Sequence, residues 1–329
     1  MILAGDIGGT KANLALFDTV GPGRISAPHH PETHRCADYP TFEALVDAYR
    51  RQHPETVEIA SFGVAGPVIG GHVKGTHLPW EIDARQSSKE LGIRTVLLLN
   101  DLGATAYGVD ALEANQLVTI QEGAADPESC AALIAAGTGL GETFLVPTPT
   151  HRFPIPSEGG HADFAPRTDR ELELFRILRA RFGRVSYERV VSGIGITNIA
   201  GWTHSAKSAA KAWKAHDVEA AGGDLAAIVS AKSLEGSCVW CREAMDLFVS
   251  AYGAEAGNLA LRGVSRAGVY VGGGIAPKIL PALQDGQFVD AFRDKAPHAA
   301  LLTSIPIRVI LEERTAVLGA ARFATVGAD

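Results

Sequence analysis

Ile2-Leu3-Ala4-Gly5-Asp6-Ile7-Gly8-Gly9-Thr10 opens the chain, and the run Ala12–Phe17 follows it. An apolar run, a polar turn with two glycines and a second apolar run describe a β-hairpin, because the far side of the turn keeps a strand pattern. The same order returns in mid-chain, where Cys130–Ala136 leads through Gly137-Thr138-Gly139-Leu140-Gly141 into Glu142–Val146. Two more apolar runs end in glycine turns: Glu58–Val64 before Ala65-Gly66-Pro67, and Gly268–Val271 before Gly272-Gly273-Gly274. Helical stretches are expected at Phe42–Gln52, Asp169–Arg181, Ala206–Ala215, Leu225–Val249 and Lys278–Leu283. Strands alternating with helices give an α/β fold. The weak duplication of the hairpin suggests one such turn in each of two domains. With no low-complexity linker between the halves, a hinge and a cleft are expected.

Bulk properties agree. At 329 residues the chain is long enough for two domains. It carries 37 acidic against 30 basic side chains, a formal charge of −7, which is not the footprint of a nucleic-acid binder. Any phosphate must therefore be gripped locally. The opening Met1-Ile-Leu-Ala-Gly-Asp6 lacks a positive leader region, and no apolar run is long enough to span a bilayer, so no membrane partner and a cytoplasmic location are expected. Four cysteines (Cys36, Cys130, Cys238 and Cys241) are too scattered for a disulfide framework. Cys238-Val239-Trp240-Cys241 has the form of a redox pair or half a zinc site. It lies in a stretch of helical character, Leu234 to Val249, and no second Cys/His pair has matching spacing, so structural thiols are expected.

Glycines let backbone N–H groups approach a phosphate closely. A dinucleotide-binding fingerprint would need a helix after its glycines, but here Gly137-Thr-Gly-Leu-Gly-Glu142 runs into strand-like residues; a Walker A loop is absent from the sequence. Each hairpin also offers a hydroxyl, Thr10 or Thr138, and Asp6 supplies a carboxylate that could hold Mg²⁺ through water. Gly272-Gly273-Gly274-Ile275 reads equally well as a helix-entry turn or as a side-chain-free surface for adenosine.

Thr95–Leu99 has the continuous apolar character of a strand buried on both faces, and it ends in Asn100-Asp101. Strand ends are where α/β sheets present functional groups, and a carboxylate there can take a proton from an attacking hydroxyl. Asp101 equally suits the cap of a helix beginning near Leu102 or Gly103. Glu158-Gly159-Gly160-His161-Ala162-Asp163 clusters acids and an imidazole beside two glycines. A zinc site would need a third ligand, so recognition of sugar hydroxyls suits the set better. Glu188 is a further candidate; the alternative is a solvated carboxylate paired with Arg184 or Arg189.

Taken together these segments resemble the bacterial glucokinase family, within the actin–hexokinase–heat-shock ATPase superfamily. The likeness runs through Asp6-Ile-Gly-Gly-Thr10 with Asn13-Leu-Ala-Leu16, Leu99-Asn-Asp101, Gly137-Thr-Gly-Leu-Gly141, Ser157-Glu-Gly-Gly-His-Ala-Asp-Phe-Ala-Pro166, Glu188-Arg-Val-Val-Ser-Gly193, Gly257-Asn-Leu-Ala-Leu261 and Gly272-Gly-Gly-Ile275. It implies two actin-like (ribonuclease H-like) domains around a central cleft. These are a small domain over residues 1–107, a larger one over 108–308, and a C-terminal helix within 309–329 that returns to the first. It implies ATP-dependent phosphorylation of glucose at the C6 hydroxyl, with Mg²⁺, in a commonly dimeric protein. Asp101 is then the base; Asn100, Asp101, Glu158, His161 and Glu188 hold the sugar. Gly8, Gly9, Thr10, Gly137, Thr138 and Gly139 hold phosphates, and Gly272, Gly273, Gly274 and Ile275 lie near adenosine. One departure is Thr76-His77-Leu78-Pro79-Trp80, where His77 stands in a sugar-contacting position usually held by Asn. His77 keeps a kinase for another hexose or an amino sugar in play. The chain lacks both the cysteine-rich zinc motif of the related repressor/kinase group and an N-terminal helix-turn-helix, which argues against a transcription regulator. Intact Asp101 and both loops count against a sugar-binding regulator without turnover.

Overall fold

The opening nonapeptide forms the centre of a five-stranded sheet. The computed structural model describes residues 1–74, 78–205 and 224–327, so His77 and the helix expected at Ala206–Ala215 lie outside the described residues. Its chain divides into two units: Met1–Gln116 with Leu145–Pro156 and Glu312–Asp329, and Leu117–Phe144 with Ser157–Leu311.

In the first unit β1 (Ile2–Ile7) turns into antiparallel β2 (Lys11–Phe17). A small ribbon, β3 (Thr19–Gly21) with β4 (Arg24–Ile25), precedes β5 (His29–Arg35); β6 (Ile59–Val64) follows, then the ribbon β7 (His72–Lys74) with β8 (Glu81–Asp83), and β9 (Thr95–Asn100). The sheet order is β5-β2-β1-β6-β9, with β1, β6 and β9 parallel. Both faces of β1 are covered, and its alternation decides which residue meets which layer. Leu3 and Ile7 pack with Phe42, Leu45, Val46 and Tyr49 of the helix Phe42–Gln52. That helix is started by Thr41, whose hydroxyl accepts from the Ala44 N–H at 3.1 Å. Ile2 and Ala4 face the helices Asp101–Gly108 and Thr315–Val326 through Ala104, Val317 and Ala320. These two helices meet backbone to backbone: a Cβ on Gly319 would fall inside the Ala104 carbonyl. The helix that begins at Asp101 is thereby fixed against the sheet.

The second unit is built on β10 (Leu117–Gln121), β11 (Ala131–Ala136), β12 (Leu140–Pro147), β13 (Arg152–Ile155), β14 (Gly268–Gly272) and β15 (Ile307–Ile310), in sheet order β10-β15-β14-β11-β12-β13. Here β11, β14 and β15 are parallel, and every residue of β14 is buried. The stretch expected as one helix over Leu225–Val249 is two, Leu225–Leu234 and Val239–Gly263. Gly236 at φ +69° breaks the first, and Cys238 caps the second. The helix expected at Lys278–Leu283 is likewise a 3₁₀ turn, Ala276–Ile279, running into Leu280–Gln284. Buried Tyr252, on the long helix, sets its hydroxyl 3.3 Å from the Ala136 N–H and 3.3 Å from the Gly272 carbonyl oxygen. It thus clamps the ends of β11 and β14 side by side. Among the described residues no helix is long and apolar enough to cross a membrane.

Candidate active site

Asp6 is the last polar residue of β1 before the hairpin, paired across the sheet with Asn13 and Gly63. The turn closes through the Gly8 N–H, which donates to the Lys11 carbonyl at 2.9 Å, while Thr10 stands exposed at the tip. Burial, and then the charge of Asp101, raise the Asp6 carboxyl to about 6; a hydrogen bond with Asn13 pulls it back. A buried carboxyl raised by a second carboxylate nearby, Asp101, would fit a cation such as Mg²⁺. Asp101 lies at the first position of its helix and is exposed. The cap itself is Asn100: its Oδ1 accepts from the Leu102 N–H at 3.0 Å and its Nδ2 donates to the Gly66 carbonyl at 3.0 Å. The capping alternative for Asp101 therefore moves one residue back, although Asp101 Oδ1 also accepts from the Leu102 N–H, at 2.8 Å. Asn100 spends most of its amide on the fold.

In the second unit the hairpin Gly137–Gly139 closes through the Gly137 N–H to the Gly139 carbonyl at 2.9 Å, with Thr138 exposed. Glu188 sits in the 3₁₀ turn Tyr187–Arg189 and reaches this hairpin: Oε2 accepts from the Leu140 N–H at 3.1 Å. Its other oxygen is 3.8 Å from His161 Nδ1, and His161 Nε2 is 3.9 Å from Glu158 Oε2. The structure thus brings Glu158, His161 and Glu188 into one row. The alternative pairing of Glu188 with arginine fails, because Arg184 binds Asp163 at 2.8 Å and Arg189 lies over the Phe182 ring. A Cβ on Gly139 would stand 2.5 Å from Glu188 Oε2, so a side chain there would push that carboxylate out of its place in the row. Beneath the Gly159–His161 turn lies Glu142, whose carboxyl is 1% exposed. Burial and the neighbouring Glu255 push it up to about 8 against the pull of Arg262.

A cavity of about 860 Å³ opens in the same unit, floored by Gly137 and Thr138 and walled by Gly274 and Ile275. That volume is in the range of small-molecule sites. Gly272 and Gly273 do not line it: Gly272 ends the buried strand, and Gly273, at φ +84°, is required because a Cβ would stand 2.3 Å from the Ala136 carbonyl oxygen. Sequence reasoning missed the far wall, Asn198 with Ala227 and Ser230, and the cations Arg181, Arg189 and Lys278 that line the same cavity. Asn198, Ala227 and Ser230 carry no local motif and are gathered by the packing of helices Gly193–Ser205 and Leu225–Leu234; Arg181, Arg189 and Lys278 come from the helix Asp169–Phe182 and the turns Tyr187–Arg189 and Ala276–Ile279.

The glucokinase from an Antarctic psychrotroph superposes with a TM-score of 0.85 at 29% identity, covering 98% of this chain and 97% of its own. At 19% identity, a ROK-family glucokinase from Streptomyces griseus shares the fold, with a TM-score of 0.63. These likenesses and the paired glycine hairpins define a sugar kinase of the actin-like ATPase fold. Residues 3–326 match the model of the glucokinase family. A glucokinase of Synechocystis is 39% identical over 97% of this chain and 96% of its own, and one of Mesorhizobium japonicum 37% over 98% and 91%. The chain belongs to the glucokinase family.

Proposed function

We propose that this chain transfers the γ-phosphoryl group of ATP to the C6 hydroxyl of glucose, with Asp101 as general base. The observation that carries the reading is the row Glu158–His161–Glu188, tied to the second glycine hairpin by the Leu140 N–H. The spacings of 3.8 and 3.9 Å are too long for direct hydrogen bonds. A sugar hydroxyl beside either gap can bond both neighbours, since the imidazole both donates and accepts. Adenosine fits against Gly274 and Ile275 in the cavity, with its phosphates toward Thr138 and Gly137.

In the reaction the C6 oxygen attacks the γ-phosphorus, its proton passes to the Asp101 carboxylate, and the β–γ bridging bond breaks to release ADP. Asp6 would hold Mg²⁺ through water; the ion supplies charge neutralisation on the phosphates. Backbone N–H groups of the glycine hairpins, at Gly9 and at Gly139, would bind phosphate oxygens without reorganising, the Gly8 N–H being spent on the Lys11 carbonyl. The family resemblance also supports a cytoplasmic homodimer; light scattering that returns a monomer mass would remove the dimer. The position of transfer is read by coupling to glucose-6-phosphate dehydrogenase. NADPH formed in step with ADP is the expected result, and ADP without NADPH would overturn transfer to C6.

A further inference from the structure

Phosphoryl transfer makes no use of a cluster of one imidazole and two thiols in the second unit. His204, in the last turn of the helix Gly193–Ser205, is 6% exposed. Its Nδ1 lies 2.8 Å from the Ala200 carbonyl oxygen, so Nδ1 carries the proton and the ring's lone pair sits on Nε2. That lone pair faces two sulfurs, Cys238 Sγ at 3.6 Å and Cys241 Sγ at 3.8 Å. Cys238 caps the helix Val239–Gly263, and its Sγ accepts from the Cys241 N–H at 3.3 Å. All three donor atoms lie within 4.8 Å of one another.

We propose that His204, Cys238 and Cys241 bind one zinc ion, with a fourth position open to water or another ligand. Bonds of about 2.3 Å to sulfur and about 2.0 Å to nitrogen at tetrahedral angles separate the two donors by about 3.5 Å. The observed 3.6 and 3.8 Å need adjustments of a few tenths of an ångström or less. An imidazole that gives its other N–H to a backbone carbonyl has the orientation and tautomer of a metal-bound histidine. Two sulfurs and one imidazole suit zinc and disfavour Mg²⁺, so the site does not compete for the ion that accompanies ATP. Binding replaces the two thiol protons, which pass to the buffer. The ion would join the helix that walls the cavity through Ile196, Thr197 and Asn198 to the helix that carries Tyr252. The sequence alone hid the site because His204 is remote in sequence from the Cys-x-x-Cys pair.

The test uses the purified, reduced, metal-stripped full chain titrated with Zn²⁺ against a chromophoric chelator, with Co²⁺ as a spectroscopic stand-in. One zinc per chain is expected, with a thiolate-to-cobalt charge-transfer band and slowed alkylation of Cys238. Cys238→Ser and His204→Gln should each weaken zinc binding by about 100-fold. Cys238 is only partly buried, so its variant is expected to keep the wild-type circular dichroism spectrum. Failure of the reduced chain to take up zinc overturns the proposal, and so does stoichiometric zinc that survives both substitutions. Alkylation unaffected by zinc in the unmodified chain overturns it without recourse to any variant.

Discussion

Asp101→Asn removes one charge and keeps the shape, and the structure separates its effect on folding from its effect on turnover. The helix start is held twice: the Leu102 N–H is taken by Asn100 Oδ1 at 3.0 Å and by Asp101 Oδ1 at 2.8 Å. A carboxamide oxygen can keep the second bond, so the loss of stability should stay below about 1 kcal/mol, the scale of a whole cap. The change also lifts the charge of Asp101 from Asp6, leaving burial as the main influence on that carboxyl. Loss of a general base, by contrast, costs typically 10²–10⁴-fold in rate, about 3–5 kcal/mol of barrier. Turnover should therefore fall by several kcal/mol more than stability. The assay is coupled ADP release for kcat, thermal melting for stability and calorimetry for glucose binding on the same preparation. A kcat within about threefold of wild type would refute the role, since no base contributes so little. A melting-point loss large enough to account for the missing activity would refute the separation.

Gly139→Ala keeps Glu188 but would put a Cβ 2.5 Å from its Oε2, so the KM for glucose should rise about tenfold, ~1.4 kcal/mol, with melting little changed; an unmoved KM means that the Glu188 position does not matter. Glu158→Gln and His161→Ala should weaken glucose binding measured at equilibrium, and unchanged affinity would remove them from the sugar site. Asp6 stands at about 6, above its ordinary 3.8, so it keeps its proton below about pH 6 and offers Mg²⁺ no charge there. At limiting Mg²⁺, kcat/KM should fall as the pH drops through 6 and recover when Mg²⁺ is raised; a profile indifferent to Mg²⁺ contradicts the assignment. Stability runs the other way: the raised carboxyl favours the folded state at low pH, and that contribution is lost as the pH rises through about 6.

The two hairpins were legible because strand, glycine turn and strand are a local pattern, and β1, β6, β11 and β14 fall within a few residues of the runs that suggested them. Asp101 was legible as a strand-end carboxylate, but which residue caps its helix was not: both Asn100 and Asp101 are good caps, and geometry decides between them. Glu188 shows a sharper limit. Two arginines nearby in sequence made a solvated ion pair plausible, and only the fold shows Arg184 turned to Asp163 and Glu188 turned to Leu140. The cavity wall at Asn198 and Ser230 was out of reach, because helix packing places it and no spacing encodes it. Gly273 shows a related limit: the packing that requires its glycine is against the Ala136 carbonyl, a neighbour distant in sequence.

The central claim is that glucose is the acceptor, and His77 lies outside the described residues, so sugar choice is decided in solution. The most direct measurement is kcat/KM for ADP release from MgATP across a panel of glucose, mannose, fructose, galactose, glucosamine and N-acetylglucosamine. The account predicts saturable turnover with glucose and a kcat/KM at least tenfold above every other sugar. A higher value for another sugar, or ADP release no faster with sugar than without, would contradict it.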